Sequence, residues 1–131
     1  MPGRTSGRGA STLRGVLIVD DDPDLRETLI DALSLEGLSV HAVENGREAL
    51  DWLHGHADLD WVVLLDLMMP VMDGRSFLEA RAQDPVVAAF PVVILTAGGD
   101  CRELKRRHDI AGCLHKTVGL ELLLAAVRAV D

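Results

Sequence analysis

The sequence predicts an α/β fold, a doubly wound five-stranded parallel sheet with helices on both faces. Three observations predict it. Short runs of Val, Ile and Leu alternate with segments of helical periodicity, the pattern of parallel strands joined by crossover helices. Some of these runs are apolar throughout instead of at every second residue, as strands buried on both faces are. The chain has 131 residues, is 48% hydrophobic and 26% charged, and has only 3% aromatic residues. That describes one globular domain with a core of Val, Leu, Ile, Ala and Met.

The elements follow in order. Residues 15–20 form a short apolar run ending in acids, which reads as a buried strand. Asp22-Pro23 pairs an N-cap residue with proline at the first helical position, so a helix starts there. Its apolar face is Leu25, Leu29, Ala32 and Leu33, and Gly37 stops it. Residues 38–43 are the second strand, Asn45-Gly46 a loop, and 47–54 the second helix. Residues 61–66 are an unbroken apolar run closed by Asp66, hence a central strand. An irregular loop over 68–74 leads to a third helix at 76–82, with Phe77, Leu78 and Arg81 on one face. The fourth strand spans 90–96, with Pro91 near its start, where proline is tolerated. A short basic helix over 100–108, a weaker strand over 110–115 and a last helix over 119–130 complete the pattern. The last helix is expected to turn Leu122, Leu123, Ala126, Val127 and Val130 inward.

Several classes are excluded. No apolar run approaches the 18 or so residues that span a bilayer, so a cytoplasmic protein is expected. Residues 1–13 are rich in Gly, Ser, Thr and Arg without an apolar segment. They read as a disordered leader, with the folded domain at 14–131. A formal charge of −8 argues against direct nucleic-acid binding. Cys101 and Cys113 fit no metal or CxxC spacing and are expected to be reduced, bystander thiols. His54 and His56, two apart on a helix, point in different directions and make no metal pair. Lys105, Arg106 and Arg107 are expected to be a solvated basic end of the fourth helix.

In a parallel sheet, functional groups gather at the carboxyl ends of the strands. The first strand ends in Asp20, Asp21 and Asp22, the third in Asp66, the fourth in Thr96, and the fifth runs into Lys116. Asp22 is expected to serve as a helix cap. Two carboxylates about 5 Å apart repel by roughly 3 kcal/mol at an effective dielectric of about 20. A cluster of acids therefore raises its own pKa values or takes up a cation. Hard oxygen ligands without sulfur or imidazole favour Mg²⁺. A carboxylate beside such an ion and a lysine is equipped to accept a phosphoryl group.

Val19-Asp-Asp-Asp-Pro-Asp-Leu-Arg26, Leu65-Asp-Leu-Met-Met-Pro-Val-Met-Asp-Gly74, Pro91-Val-Val-Ile-Leu-Thr-Ala97 and Lys116 together resemble the receiver domain of two-component response regulators, of the chemotaxis-regulator kind. The likeness runs from about residue 15 to 130. It implies a flavodoxin-like sheet of order 2-1-3-4-5. It implies that Asp66 is the phosphoacceptor, taking the group from a sensor histidine kinase or phosphotransfer protein. Asp20, Asp21, Asp66 and the backbone carbonyl of Met68 would hold Mg²⁺. Lys116 would pair with the phosphoryl oxygens, and Thr96 would swing its hydroxyl onto them. The chain would then be no conventional enzyme, though it would assist its own phosphorylation and dephosphorylation. Its output would be a downstream protein target, and a dimer formed on phosphorylation would fit the pattern.

Two positions depart from the family. Thr117 follows Lys116 where the family usually has proline in a cis bond, so this bond should be trans. Cys113 stands where an aromatic usually accompanies the switching threonine. These departures leave a second reading open, an interaction module no longer switched by phosphorylation. A Mg²⁺-dependent phosphatase of the haloacid dehalogenase type would need an acid at position 68, where Met68 stands. Met68 and Gly98 offer no polar group to guide a hydrolytic water, which implies a long-lived aspartyl phosphate.

Overall fold

The computed structural model describes residues 15–57, 60–98 and 101–130. The leader expected over 1–13 lies outside them. Eleven elements follow one another along the described chain: β1 (Gly15–Val19), α1 (Pro23–Leu35), β2 (Ser39–Val43), α2 (Gly46–Gly55), β3 (Trp61–Asp66), α3 (Gly74–Ala82), α4 (Pro85–Ala88), β4 (Val92–Thr96), α5 (Arg102–Arg107), β5 (Gly112–His115) and α6 (Leu120–Ala129). The strands form one parallel sheet in the order β2-β1-β3-β4-β5.

Alternation along the inner strands builds two cores. Leu17, Val19, Val63, Leu65 and Ile94 meet Leu53, Phe77 and Leu78 on one face. Val16, Ile18, Val62, Leu64 and Val93 meet Leu29, Leu33, Leu123, Leu124 and Val127 on the other. Each of the fully buried Leu, Val or Phe side chains contributes about 1.5–3 kcal/mol relative to exposure. β2 is an edge strand whose side chains alternate between exposed and partly covered. There the His41 and His56 rings each stack on Trp52, and Trp61 meets that indole edge-on.

Helix ends follow the expected chemistry. The Asp22 carboxylate accepts the amide hydrogens of Asp24 and Leu25, so it caps α1. Beyond the helix Gly37 has φ 84°, a backbone that glycine adopts freely. Arg81 is turned inward with Phe77 and Leu78 and is only 5% exposed. Its guanidinium donates to the carbonyls of Ala88, Phe90 and Asp109, tying α3 to the chain before β4 and before β5. Burial lowers its pKa.

The structure corrects four expectations. Strict alternation is broken by α4, a single turn capped by the Asp84 carboxylate with Pro85 at its first position. The fourth long helix is shorter than expected and starts at Arg102, while Asp100 lies outside the described residues. Leu122 is 61% exposed, and Leu124 takes its place inside. Three successive leucines, Leu122 to Leu124, leave the helical phase open by one step, and packing with Leu29 and Leu33 selects the later one. Cys101 and Cys113 are joined in a disulfide, with Cα atoms 6.5 Å apart. Sheet topology, invisible in their spacing, brings the start of α5 beside β5.

Candidate functional site

The chain leaves β1 for one face and β3 for the other. Leu29 and Leu33 of α1 pack in one core, and Phe77 and Leu78 of α3 in the opposite one. A crevice therefore opens beyond the carboxyl ends of these adjacent strands. Val19 pairs with Leu65 in the sheet, which sets Asp20 beside Asp66, the last residue of β3. Asp20 and Asp66 are 2% and 3% exposed, whereas Asp21 lies at the surface. One carboxylate oxygen from each of Asp20, Asp21 and Asp66 lies within 4.8 Å of the others.

Lys116 enters from the next-but-one strand. Its amide donates to the Thr96 carbonyl at 2.8 Å, one step beyond the pairing of Thr96 with His115. Its Nζ then lies 3.0 Å from Asp20 Oδ2 and 3.3 Å from Asp66 Oδ1. The Lys116–Thr117 bond is trans, as expected without proline. The Thr117 amide donates instead to His115 Nδ1 at 3.1 Å.

Three carboxylates against one ammonium leave the cluster with a surplus of negative charge. Burial pushes the Asp66 pKa up. The Met68 amide, donating to Asp66 Oδ1 at 3.2 Å, works against the rise, the Asp20 charge adds to it, and Lys116 offsets part of it. Burial alone would lower the Lys116 pKa, but hydrogen bonding and the charges of Asp20 and Asp66 leave it above that of an ordinary lysine. A donor set made only of carboxylate oxygens fits a small hard dication, with no soft or imidazole ligand to favour a transition metal.

Thr96 closes the β4 end of the crevice. Its hydroxyl is turned back along its own chain, donating to the Gly98 carbonyl, and Oγ1 in turn accepts the Gly98 amide hydrogen at 3.2 Å. Met68 is largely exposed on the loop after β3. Asp22, as expected, is spent on the α1 cap and stands outside the cluster.

Two supporting residues escaped sequence reasoning. Arg26, which reads as an off-face helix residue, donates from Nη1 to the Asp20 carbonyl at 2.8 Å and anchors the β1 exit. Gly74 starts α3 against the end of β3, where a Cβ would lie 2.5 Å from the Asp66 carbonyl oxygen. Neither is marked by a partner side chain, since Arg26 bonds a backbone carbonyl and Gly74 packs against one.

Comparison with known proteins points to one family. The family model described as the response regulator receiver domain matches residues 16–128. The chain is 39% identical over 120 residues to the response regulator MprA of Mycolicibacterium vanbaalenii, covering 87% of this chain and 48% of that protein. It is 38% identical over 117 residues to the transcriptional regulatory protein CpxR homolog of Haemophilus influenzae, covering 88% and 49%. The chain thus spans about half the length of these relatives. Among solved structures, chemotaxis protein CheY4 of Vibrio cholerae superposes with TM-score 0.79 at 31% identity, covering 92% of this chain and all of that one. The regulator TrrA of Thermotoga maritima, solved in complex with Mg²⁺ and BeF, superposes with TM-score 0.75 at 28% identity, covering 90% and 98%. With the acids and lysine gathered at the strand ends and a family match over most of its length, the chain belongs to the response regulator receiver domains.

Proposed function

We propose that Asp66 accepts a phosphoryl group from a phosphohistidine on a sensor kinase or phosphotransfer protein, and that the change is passed to a downstream protein. The observation that carries this reading is the convergence of Asp20, Asp21 and Asp66 with the Lys116 ammonium in one crevice. We read residues 14–131 as the unit that performs it.

A carboxylate oxygen of Asp66 attacks phosphorus in line. The phosphorus–nitrogen bond of the donor breaks, its electron pair stays on the imidazole nitrogen, and that nitrogen takes a proton. Asp20, Asp21, Asp66 and the Met68 carbonyl would hold Mg²⁺, which when bound neutralises phosphoryl oxygens. The TrrA complex with Mg²⁺ and BeF supports that choice of ion. Lys116 shifts its ammonium from the carboxylates to the new phosphoryl oxygens. Thr96 rotates its hydroxyl away from the Gly98 carbonyl to donate to one of them, so the added charge moves the chain after β4.

The test is incubation with acetyl phosphate and Mg²⁺, followed by intact mass. The wild type gains one phosphoryl group and Asp66→Ala gains none. A folded wild-type chain that takes up no phosphoryl group overturns the reading and leaves the unswitched interaction module.

A further inference from the structure

Cys101 and Cys113 join the start of α5 to β5, with Cα atoms 6.5 Å apart, within the range a disulfide spans. The ring they close contains the whole of α5, Arg102–Arg107. The β5 end of that ring is firmly held, because Cys113 pairs with Ile94 of β4 inside the parallel sheet. The α5 side is held by much less. This helix has six residues, of which Leu104 alone is buried, and its start has no side-chain cap hydrogen bond. Arg107 reaches Glu79 of α3 at 3.7 Å, but both side chains are more than half exposed, so the pair adds little. A helix this short does not sustain itself in water. Leu104 in the core and the bridge at Cys101 are what keep it on the sheet.

We propose that Cys101 and Cys113 are a reversible thiol–disulfide modification site: closed, it locks α5 onto β5, and open, it lets α5 undock. Segments with so few buried contacts open most readily in a folded chain. A closed ring removes most of the open arrangements from reach. Reduction leaves two small apolar thiols at the same packed positions, so the docked arrangement persists but opens more often. The last turn of α5 holds Lys105, Arg106 and Arg107, so the redox state sets how firmly that basic turn is presented as a helix. The site needs no chemistry at Asp66.

The oxidant class is a low-molecular-weight disulfide such as oxidised glutathione. Cys101 is 7% exposed and Cys113 is only partly covered, so Cys113 is the sulfur that meets the reagent. Its thiolate attacks one sulfur of the reagent, whose sulfur–sulfur bond breaks and releases one thiolate. The Cys101 thiolate then attacks Cys113 Sγ in the mixed disulfide and releases the second. The chain loses two protons and two electrons, and the reagent leaves as two thiols. Excess reduced glutathione drives the same steps backwards.

The test uses the wild-type chain equilibrated in buffers of set reduced-to-oxidised glutathione ratio. Free thiols are trapped by alkylation in one portion, and intact mass gives the bridged fraction. Amide hydrogen exchange is followed by NMR in the fully bridged and fully reduced chain. The amides to watch are those of Lys105 and His108, which donate to the Cys101 and Leu104 carbonyls at 2.9 Å and 2.8 Å. Both should exchange at least about tenfold more slowly in the bridged chain, a modest effect for closing a ring of this size. The amide of Ala49 in α2, which donates to the Asn45 carbonyl, should change by a much smaller factor. Cys101→Ser should stop at the mixed disulfide on Cys113, with Lys105 and His108 exchanging as in the reduced wild type. Failure of the bridge to form at any ratio overturns the proposal, and so does equal exchange of these two amides in bridged and reduced chains. Equal slowing at Ala49 overturns it as well, since the bridge would then staple the whole fold and not α5.

Discussion

Lys116 Nζ lies closer to Asp20, at 3.0 Å, than to Asp66, at 3.3 Å. The lysine is therefore shared between two buried carboxylates and leaves neither fully neutralised. Lys116→Met should destabilise the metal-free chain by about 1–3 kcal/mol, less than for a fully buried pair because the lysine side chain is 23% exposed. Saturating Mg²⁺ should recover part of that loss, since a ligand that binds only the folded state stabilises it. Urea denaturation with and without Mg²⁺ reads both effects. Equal stability of variant and wild type in metal-free buffer would show that the pair contributes nothing.

Asp66 carries its charge at a cost. Its folded pKa is raised, chiefly by burial, above the ordinary value of about 3.9. The folded state thus holds the proton more tightly than the unfolded state. The wild type should lose stability as pH rises from the unfolded value through the folded one. Asp66→Asn removes the buried charge and with it this loss. It should melt higher than the wild type at neutral pH without Mg²⁺, by on the order of 1 kcal/mol in stability. The advantage should shrink as pH falls below about 4, where Asp66 is protonated in both states. A melting series from acid to neutral pH checks the sign, and an advantage that grows on acidification would contradict it.

Gly74→Ala should be costly although the change is one methyl group. The new Cβ would stand 2.5 Å from the Asp66 carbonyl oxygen and 2.8 Å from Leu67 Cα, both backbone atoms. Relief requires the start of α3 to move away from β3. About 1–3 kcal/mol is the usual scale for such overpacking. Phosphorylation by acetyl phosphate should slow as well, because the displaced chain is the one that follows Asp66. Thermal melting and the phosphorylation rate measured on one sample separate the two effects.

Arg81→Met keeps much of the aliphatic bulk and removes the guanidinium. The carbonyls of Ala88, Phe90 and Asp109 then lose their shared donor. Against this stands the relief of a buried cation, whose pKa burial lowers. An unsatisfied buried acceptor costs about 1–3 kcal/mol, which applies in full to the Phe90 carbonyl and only in part to those of Ala88 and Asp109, and together they outweigh one partly compensated charge. A net loss of roughly 2 kcal/mol is expected, with phosphoryl uptake by the folded chain unchanged. A more stable Arg81→Met chain would show that desolvation of the cation outweighs its three hydrogen-bonded carbonyls.

Much of the fold was legible because inner strands of a parallel sheet are apolar along their whole length. β3 matches its expected span of 61–66 for that reason. Acids, threonine and lysine at four strand ends were legible because topology alone gathers such ends. What was hidden depends on phase or on proximity. The run of three leucines in α6 does not state which one faces out. Asp84-Pro85 carries the same cap-and-proline signal as Asp22-Pro23, but a single turn has too few apolar positions to show a period. The twelve-residue separation of Cys101 and Cys113 says nothing of adjacency until the order of β4, α5 and β5 is known. Arg26 is unreadable in sequence because its partner is a backbone carbonyl, which every residue has.

The two indoles of the chain stand together, Trp52 edge-on to Trp61 with ring centres 4.5 Å apart. Trp61 opens the strand that Asp66 closes, five residues away, or roughly 16 Å at about 3.3 Å per residue. Intrinsic fluorescence therefore watches the amino end of the sheet and not Asp66. It gives an optical record of unfolding that is independent of chemistry at Asp66, so loss of structure and loss of phosphoryl uptake can be followed as separate signals in one cuvette.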